Sequence, residues 1–223
     1  MTPGLGSDPN QTCDTFAAER LSELLAPYRG LMARPPRLQV PGGIYHVTAP
    51  ASTGRILFAD DDERLEFLDI LSALVPGRAW SCMAFCLMTT HYHLLVQTPE
   101  ADLAAGMQYL NGRFGQRINF LRGEKGHLFN ARYGSKFVET EQHALNAHRY
   151  IALNPVAAGI VARPEDWPWS SYRALLALAP APSFLDVAGA LALFGSTPEA
   201  GRAKLCGFVQ DGACESVTTF VGV

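Results

Sequence analysis

Two runs, Trp80–Met88 (WSCMAFCLM) and His91–Thr98 (HYHLLVQT), constrain the fold more than any other feature of the chain. Both are apolar and β-prone, and only Thr89 and Thr90 separate them, so they predict adjacent antiparallel strands. The flanking segments supply the rest of a sheet and its cover. In LQVPGGIYHVTA, Pro41-Gly42-Gly43 punctuates the chain, and Ile44, Tyr45, Val47 and Thr48 favour a strand. Asp60-Asp61-Asp62 precedes ERLEFLDILSALV, where Leu65, Leu68, Ile70, Leu71 and Leu74 recur at helical spacing behind an acidic start. Leu103–Leu121 repeats that periodicity, residues 123–133 read as a loop, SKFVET as a short strand, and Glu141–Leu153 as a third helix. The order strand, helix, strand, strand, helix, strand, helix predicts an α+β domain with a ferredoxin-like antiparallel sheet and helices packed on one side.

With 223 residues, 48% of them hydrophobic, the chain can bury a sizeable core. Three parts are expected: an N-terminal arm with a short helix over residues 1–36, a principal domain over 37–174, and a helical C-terminal extension over 175–223. No apolar run approaches the roughly 18 to 20 residues of a membrane span, and the N-terminus lacks a basic-then-apolar signal pattern, so a cytoplasmic location is expected. Five cysteines without C-x-x-C spacing argue against a disulfide framework or a zinc ribbon. Cys82 and Cys86, four apart on a strand, are expected on one face as core residues. The net charge is −3, but residues 111–150 carry +4 and the remainder −7. That polarity fits the steering of a phosphate backbone, and it also fits a solvated helix face.

His91 and His93 alternate on a strand and so point to one face, as a two-histidine metal site or as rings lining the sheet. Tyr92 between them faces away. Tyr150 and Asn154 share a helix face four residues apart, with Pro155 placing them in the last turn. The pair can serve as a phenol nucleophile beside an amide ligand, although taken alone it reads first as a helix-ending Asn-Pro with a half-buried tyrosine. His46, in the first strand, can approach the sheet surface beside the two histidines, where packing or DNA contact is expected rather than ligation. His127 falls in the loop, and His143 and His148 are expected on the surface of the third helix.

These blocks together resemble the REP-associated tyrosine transposases of the HUH single-tyrosine class. The resemblance runs over residues 37–174, from LQVPGGIYHVTA through FCLMTTHYHLLVQTPE, MQYLNGRFGQRIN, GHLFNARYGSKFVE and HRYIALNPVAAGIV to PEDWPWSSYRA. It implies His91 and His93 as metal ligands, Asn154 as the third protein ligand, Tyr150 as nucleophile, and Mg²⁺ or Mn²⁺ as the metal. It also implies a single-stranded or hairpin DNA substrate from repetitive elements, cut through a 5′-phosphotyrosine and rejoined by a monomer or homodimer. The chain departs from the family at Thr89-Thr90, where Pro-Asn is usual, in APASTGRILF, which lacks an Arg-Gly-Asn run, and at Ala157, where Arg is common. Expected phosphate contacts are Arg113, Arg117, Arg132 and Lys136, with Arg34 and Arg37 on or beside the arm. Phe114 and Phe129 are candidates for base stacking or for the core. The competing readings are a domesticated hairpin-binding protein without turnover and a small zinc hydrolase.

Overall fold

The computed structural model describes residues 39–214; the arm, Arg34 and Arg37 lie outside them. In chain order the elements are β1 (Gly43–Pro50), α1 (Asp61–Gly77), β2 (Ser81–Leu87), β3 (His91–Thr98), α2 (Leu103–Arg122), β4 (Gly134–Phe137) and α3 (Glu141–Ala157). A 3₁₀ turn (Pro164–Asp166) and three further helices follow: α4 (Tyr172–Leu175), α5 (Val187–Ala192) and α6 (Pro198–Cys214). The sheet has the order β2-β3-β1-β4 with β1 and β3 central, and every pairing is antiparallel. This is the ferredoxin-like arrangement that the element order predicts.

Register decides which side chains meet. Residues opposite one another in a ladder share a face, so Val47 with Leu94 and Ala49 with Tyr92 define one side, and Thr48 with His93 and His46 with Leu95 the other. The first side is covered by α1 and α2. Tyr92 stacks on Phe67 at 4.6 Å between ring centroids, Phe67 meets Phe114 at 5.1 Å, and Phe58 touches both phenylalanines. The Tyr92 hydroxyl donates to Asn111 Oδ1 on α2 at 2.5 Å. Phe114 is therefore core, fully buried, and Phe129 packs partly buried against it. At its N-terminal end α2 lies so close to Trp80 that a Cβ on Gly106 would stand 2.2 Å from the indole. Only glycine permits that approach.

The helix ends are fixed by local chemistry. Asp60 accepts from the Glu63 amide at 3.0 Å, while the Glu63 carboxylate reaches back to the Ala59 amide and pairs with Arg122 of α2. Thr140 caps α3 by accepting from the His143 amide at 3.1 Å. The third helix continues past Asn154 to Ala157 with Pro155 inside it, so the expected end at Leu153 is too early. Proline removes one donor near the end of the ladder, and the amides of Ala158 and Ile160 still bond to Asn154 O and Pro155 O.

A bulge between Cys82 and Ala84 corrects the expectation for the cysteines. Cys82 is paired with Val96 and Cys86 with His93, neighbours on opposite faces of β3, although both cysteines are buried in the core as expected. The open edge of β2 is covered by the chain beyond α3. Leu87 donates to Trp169 O at 2.9 Å, Ser171 to Phe85 O at 3.0 Å and Asp186 to Cys82 O at 2.8 Å, which satisfies backbone groups an edge strand would leave unpaired. The Trp-Pro-Trp segment is held by Arg64 of α1, whose buried guanidinium lies 5.6 Å and 5.5 Å from the rings of Trp167 and Trp169.

His148 is buried against Phe194, with its Nε2 unpartnered among the described residues, rather than on the helix surface. Burial pushes its pKa from 6.5 down to about 4. The unfolded chain then takes up a proton that the native state refuses. The stability from this group is present above pH 6.5 and falls as pH drops toward the folded value, by about 1.4 kcal/mol per unit. Urea denaturation at pH 7 and pH 5 should show a fall in stability that His148→Leu reduces by about one proton's worth of slope.

Candidate active site

On the face opposite Tyr92, α3 packs over β2 and β3 and brings Tyr150 and Asn154 to the histidines. The Asn154 carboxamide sits between two imidazoles: its Nδ2 is 3.1 Å from His93 Nε2 and its Oδ1 is 3.3 Å from His91 Nε2. The two rings stand nearly perpendicular, with centroids 4.9 Å apart. Tyr150, half-buried, sets its ring edge-on to His93 at 5.3 Å and to His46 at 5.6 Å. The four residues singled out in the sequence thus form one cluster. It depends on strand alternation at residues 91 and 93 and on the i, i+4 spacing of 150 and 154.

His46 completes the arrangement. Its Nε2 lies 3.0 Å from His93 Nδ1, so both nitrogens of His93 are engaged. With Asn154 Nδ2 donating to His93 Nε2, the His93 proton resides on Nδ1 and is donated to His46 Nε2. Because Asn154 Oδ1 can only accept, the His91 proton resides on Nε2, and His91 Nδ1 accepts from the Thr90 hydroxyl at 3.2 Å. Thr90, one of the departures from the family pattern, thus supplies a hydrogen-bonding partner to the histidine that follows it.

All three rings favour the neutral form. Burial holds His93 well below the usual range, with the neighbouring charges of His46 and His91 adding to the effect. Burial, then Lys136 and His143, bring His46 to about 4. Burial lowers His91 too, opposed by its bond to Asn154. Neutral imidazoles keep the lone pairs that ligation requires. Among the described residues no cluster of three His, Cys, Asp or Glu side chains is placed to hold a metal. Among the described residues the Asn154 amide lies within hydrogen-bond distance of both imidazoles, and a set of two nitrogens and one amide oxygen has the chemistry to hold a divalent ion with open positions.

Beside Tyr150, a cleft of ≈ 310 Å³ opens between β1, β4 and α3, with Lys136 and His143 on its wall. Lys136 stands directly opposite His46 in the β1–β4 ladder. His143, expected on the open surface, is half-buried here, seven residues before Tyr150 on the same helix face. The other expected phosphate contacts lie elsewhere. Arg132 is exposed just before β4, whereas Arg113 and Arg117 are exposed on α2, which covers the Tyr92 face, and Arg117 pairs with Glu66 at 2.7 Å. His46 stands beside the histidine pair, as its place in the first strand allows, whereas the contacts of Thr90 and His143 were not legible in the sequence, because each depends on register or on the docking of α3.

The fold and site thus define a ferredoxin-like sheet with paired histidines on an inner strand, faced by a tyrosine-bearing helix. The chain belongs to the IS200-like transposase family, whose sequence model, Transposase IS200 like, matches residues 39–154. A Haemophilus influenzae protein named "Putative REP-associated tyrosine transposase" is 29% identical over 102 residues, covering 41% of this chain and 58% of that protein. The chain thus spans less than two thirds of that relative's length. A solved structure of a REP-associated tyrosine transposase bound to a REP hairpin shares the fold, with a TM-score of 0.57 at 21% identity over 70% of this chain and 93% of the other.

Proposed function

We propose that this protein is a metal-dependent single-stranded DNA endonuclease and strand transferase, a transposase that cuts hairpin-containing repetitive DNA through a 5′-phosphotyrosine on Tyr150. The observation that carries this reading is the convergence of His91 Nε2 and His93 Nε2 on the Asn154 amide, with the Tyr150 ring 5.3 Å from His93. Family membership supports transposition chemistry, and the hairpin bound by the structural relative supports a hairpin substrate.

In this reading His91, His93 and Asn154 hold Mg²⁺ or Mn²⁺. When bound, the ion polarises the scissile phosphate and stabilises charge on the departing oxygen. The Tyr150 oxygen attacks phosphorus, forming the Tyr150 O–P bond as the P–O3′ bond breaks. The phenol loses its proton and the 3′ oxygen gains one, so the step consumes no proton and needs no ATP. A later 3′-hydroxyl reverses the exchange and joins the strands. The cytoplasm is the proposed location. Lys136 and Arg132 are the proposed phosphate contacts on or near the site face, and Arg113 and Arg117 contact DNA that reaches the α2 side. Arg34 and Arg37 belong to the same proposed set.

His46 acts in this scheme as a positioning residue. Accepting from His93 Nδ1 fixes that ring's orientation and leaves Nε2 for the metal. His46→Ala should weaken Mn²⁺ binding by about 10- to 100-fold, as loss of such a partner commonly does. Titration followed by electron paramagnetic resonance reads this directly, and unchanged affinity would remove His46 from the scheme.

The function is tested by incubating the protein with labelled single-stranded hairpin DNA from around its own gene, with Mn²⁺ or with chelator, and resolving products on a denaturing gel. A metal-dependent protein–DNA adduct is expected. Specific hairpin binding with no adduct would instead favour the domesticated binder.

A further inference from the structure

The cleft beside Tyr150 has walls suited to an anion. Its polar lining includes Lys136, His143, Ser135 and the Thr48 hydroxyl, and none of its lining residues is acidic. The two basic side chains come from different elements, Lys136 from β4 and His143 from α3, and line the same cleft as His46. Lys136 is placed by its ladder position opposite His46, and His143 by the Thr140 cap, which fixes it in the first turn of a 17-residue helix, where the helix dipole also favours negative charge. Gly134, also in the lining, runs close against the Thr48 side chain. A Cβ there would stand 2.9 Å from Thr48 Oγ1, inside contact distance.

We propose that this cleft is a phosphate-binding subsite in which Lys136 and His143 hold the non-bridging oxygens of a phosphoryl group at Tyr150. The proposal deepens the reading above, because the phosphate in question is that of the DNA strand. Lysine contributes a full positive charge and up to three N–H donors, and an imidazole keeps at least one N–H donor in either charge state. The Ser135 and Thr48 hydroxyls add neutral donors. Such a subsite gives the non-bridging oxygens of the phosphate on Tyr150 basic partners next to the two-histidine cluster, holding that phosphate in place between cleavage and rejoining.

The test needs neither DNA nor metal. Inorganic phosphate, and separately phenyl phosphate as a mimic of phosphotyrosine, is titrated into the full chain in chelator while the imidazole signals are followed by NMR, with His143→Gln identifying the His143 resonance. A saturable shift at His143 is expected, weakened at least fivefold by Lys136→Met and restored by Lys136→Arg. Thermal melting should show Lys136→Met folded as the wild type. Absence of a saturable shift, or a shift that Lys136→Met leaves unchanged, overturns the subsite. The DNA adduct assay fails independently: a wild type that binds phosphate here but makes no adduct contradicts the transposase reading alone, whereas a normal adduct without phosphate binding contradicts only the subsite.

Discussion

Tyr150→Phe should abolish the covalent protein–DNA adduct while leaving hairpin binding within about twofold of wild type. The substitution removes one oxygen from a half-buried ring and keeps the edge-on contacts with His46 and His93, so fold and cluster geometry should persist. The effect on chemistry is nonetheless complete, because no other phenol in the described structure is so placed. Tyr92 is buried on the opposite face and bonded to Asn111, and Tyr45 packs on Phe137 with its hydroxyl at the Val40 backbone. Gel-shift binding and denaturing electrophoresis on one preparation separate the two properties. An adduct undiminished in Tyr150→Phe would rule this residue out as nucleophile.

His93→Ala should reduce the single-turnover rate of adduct formation by about 10³-fold, the equivalent of about 4 kcal/mol in the barrier, and should all but eliminate Mn²⁺ binding. His93 sits at the centre of the hydrogen-bond chain from His46 to Asn154, so its removal deletes a ligand and strands two polar partners. The loss should exceed that of His46→Ala, which leaves all three proposed ligands in place. Rates at saturating DNA and metal, together with Mn²⁺ titration, distinguish the two variants. Equal, small effects from both would contradict the assignment of His93 as a ligand.

Much of this was legible in the residues themselves. Alternation put His91 and His93 on one face and Tyr92 on the other, and the spacing of Tyr150 and Asn154 put both on one side of α3, since these are local periodicities of strand and helix. Properties set by partners were not. The same parity that hides Tyr45 and Val47 turns His46 toward the site, but only the β1–β3 and β1–β4 registers bring it to His93 and Lys136. The faces of Cys82 and Cys86 were misread because a bulge breaks the period of two on which the reading relied. Arg113 and Arg117 fall in a basic stretch of sequence, yet α2 packs on the far side of the sheet from Lys136. Charge counted along the chain carries no information about which face a helix covers. His148 has nothing in its sequence neighbourhood to mark it as buried, because its cover comes from Phe194.

The central claim, that DNA becomes joined to Tyr150, is tested most directly by peptide mapping of the adduct. After reaction with hairpin DNA and Mn²⁺, nuclease trimming and trypsin digestion, the peptide of residues 150–173, which spans the trypsin-resistant Arg163–Pro164 bond, should carry a residual 5′-linked nucleotide that fragmentation places on Tyr150 and not on Tyr172. Recovery of that peptide unmodified, with the nucleotide on another tyrosine or on none, would contradict the account.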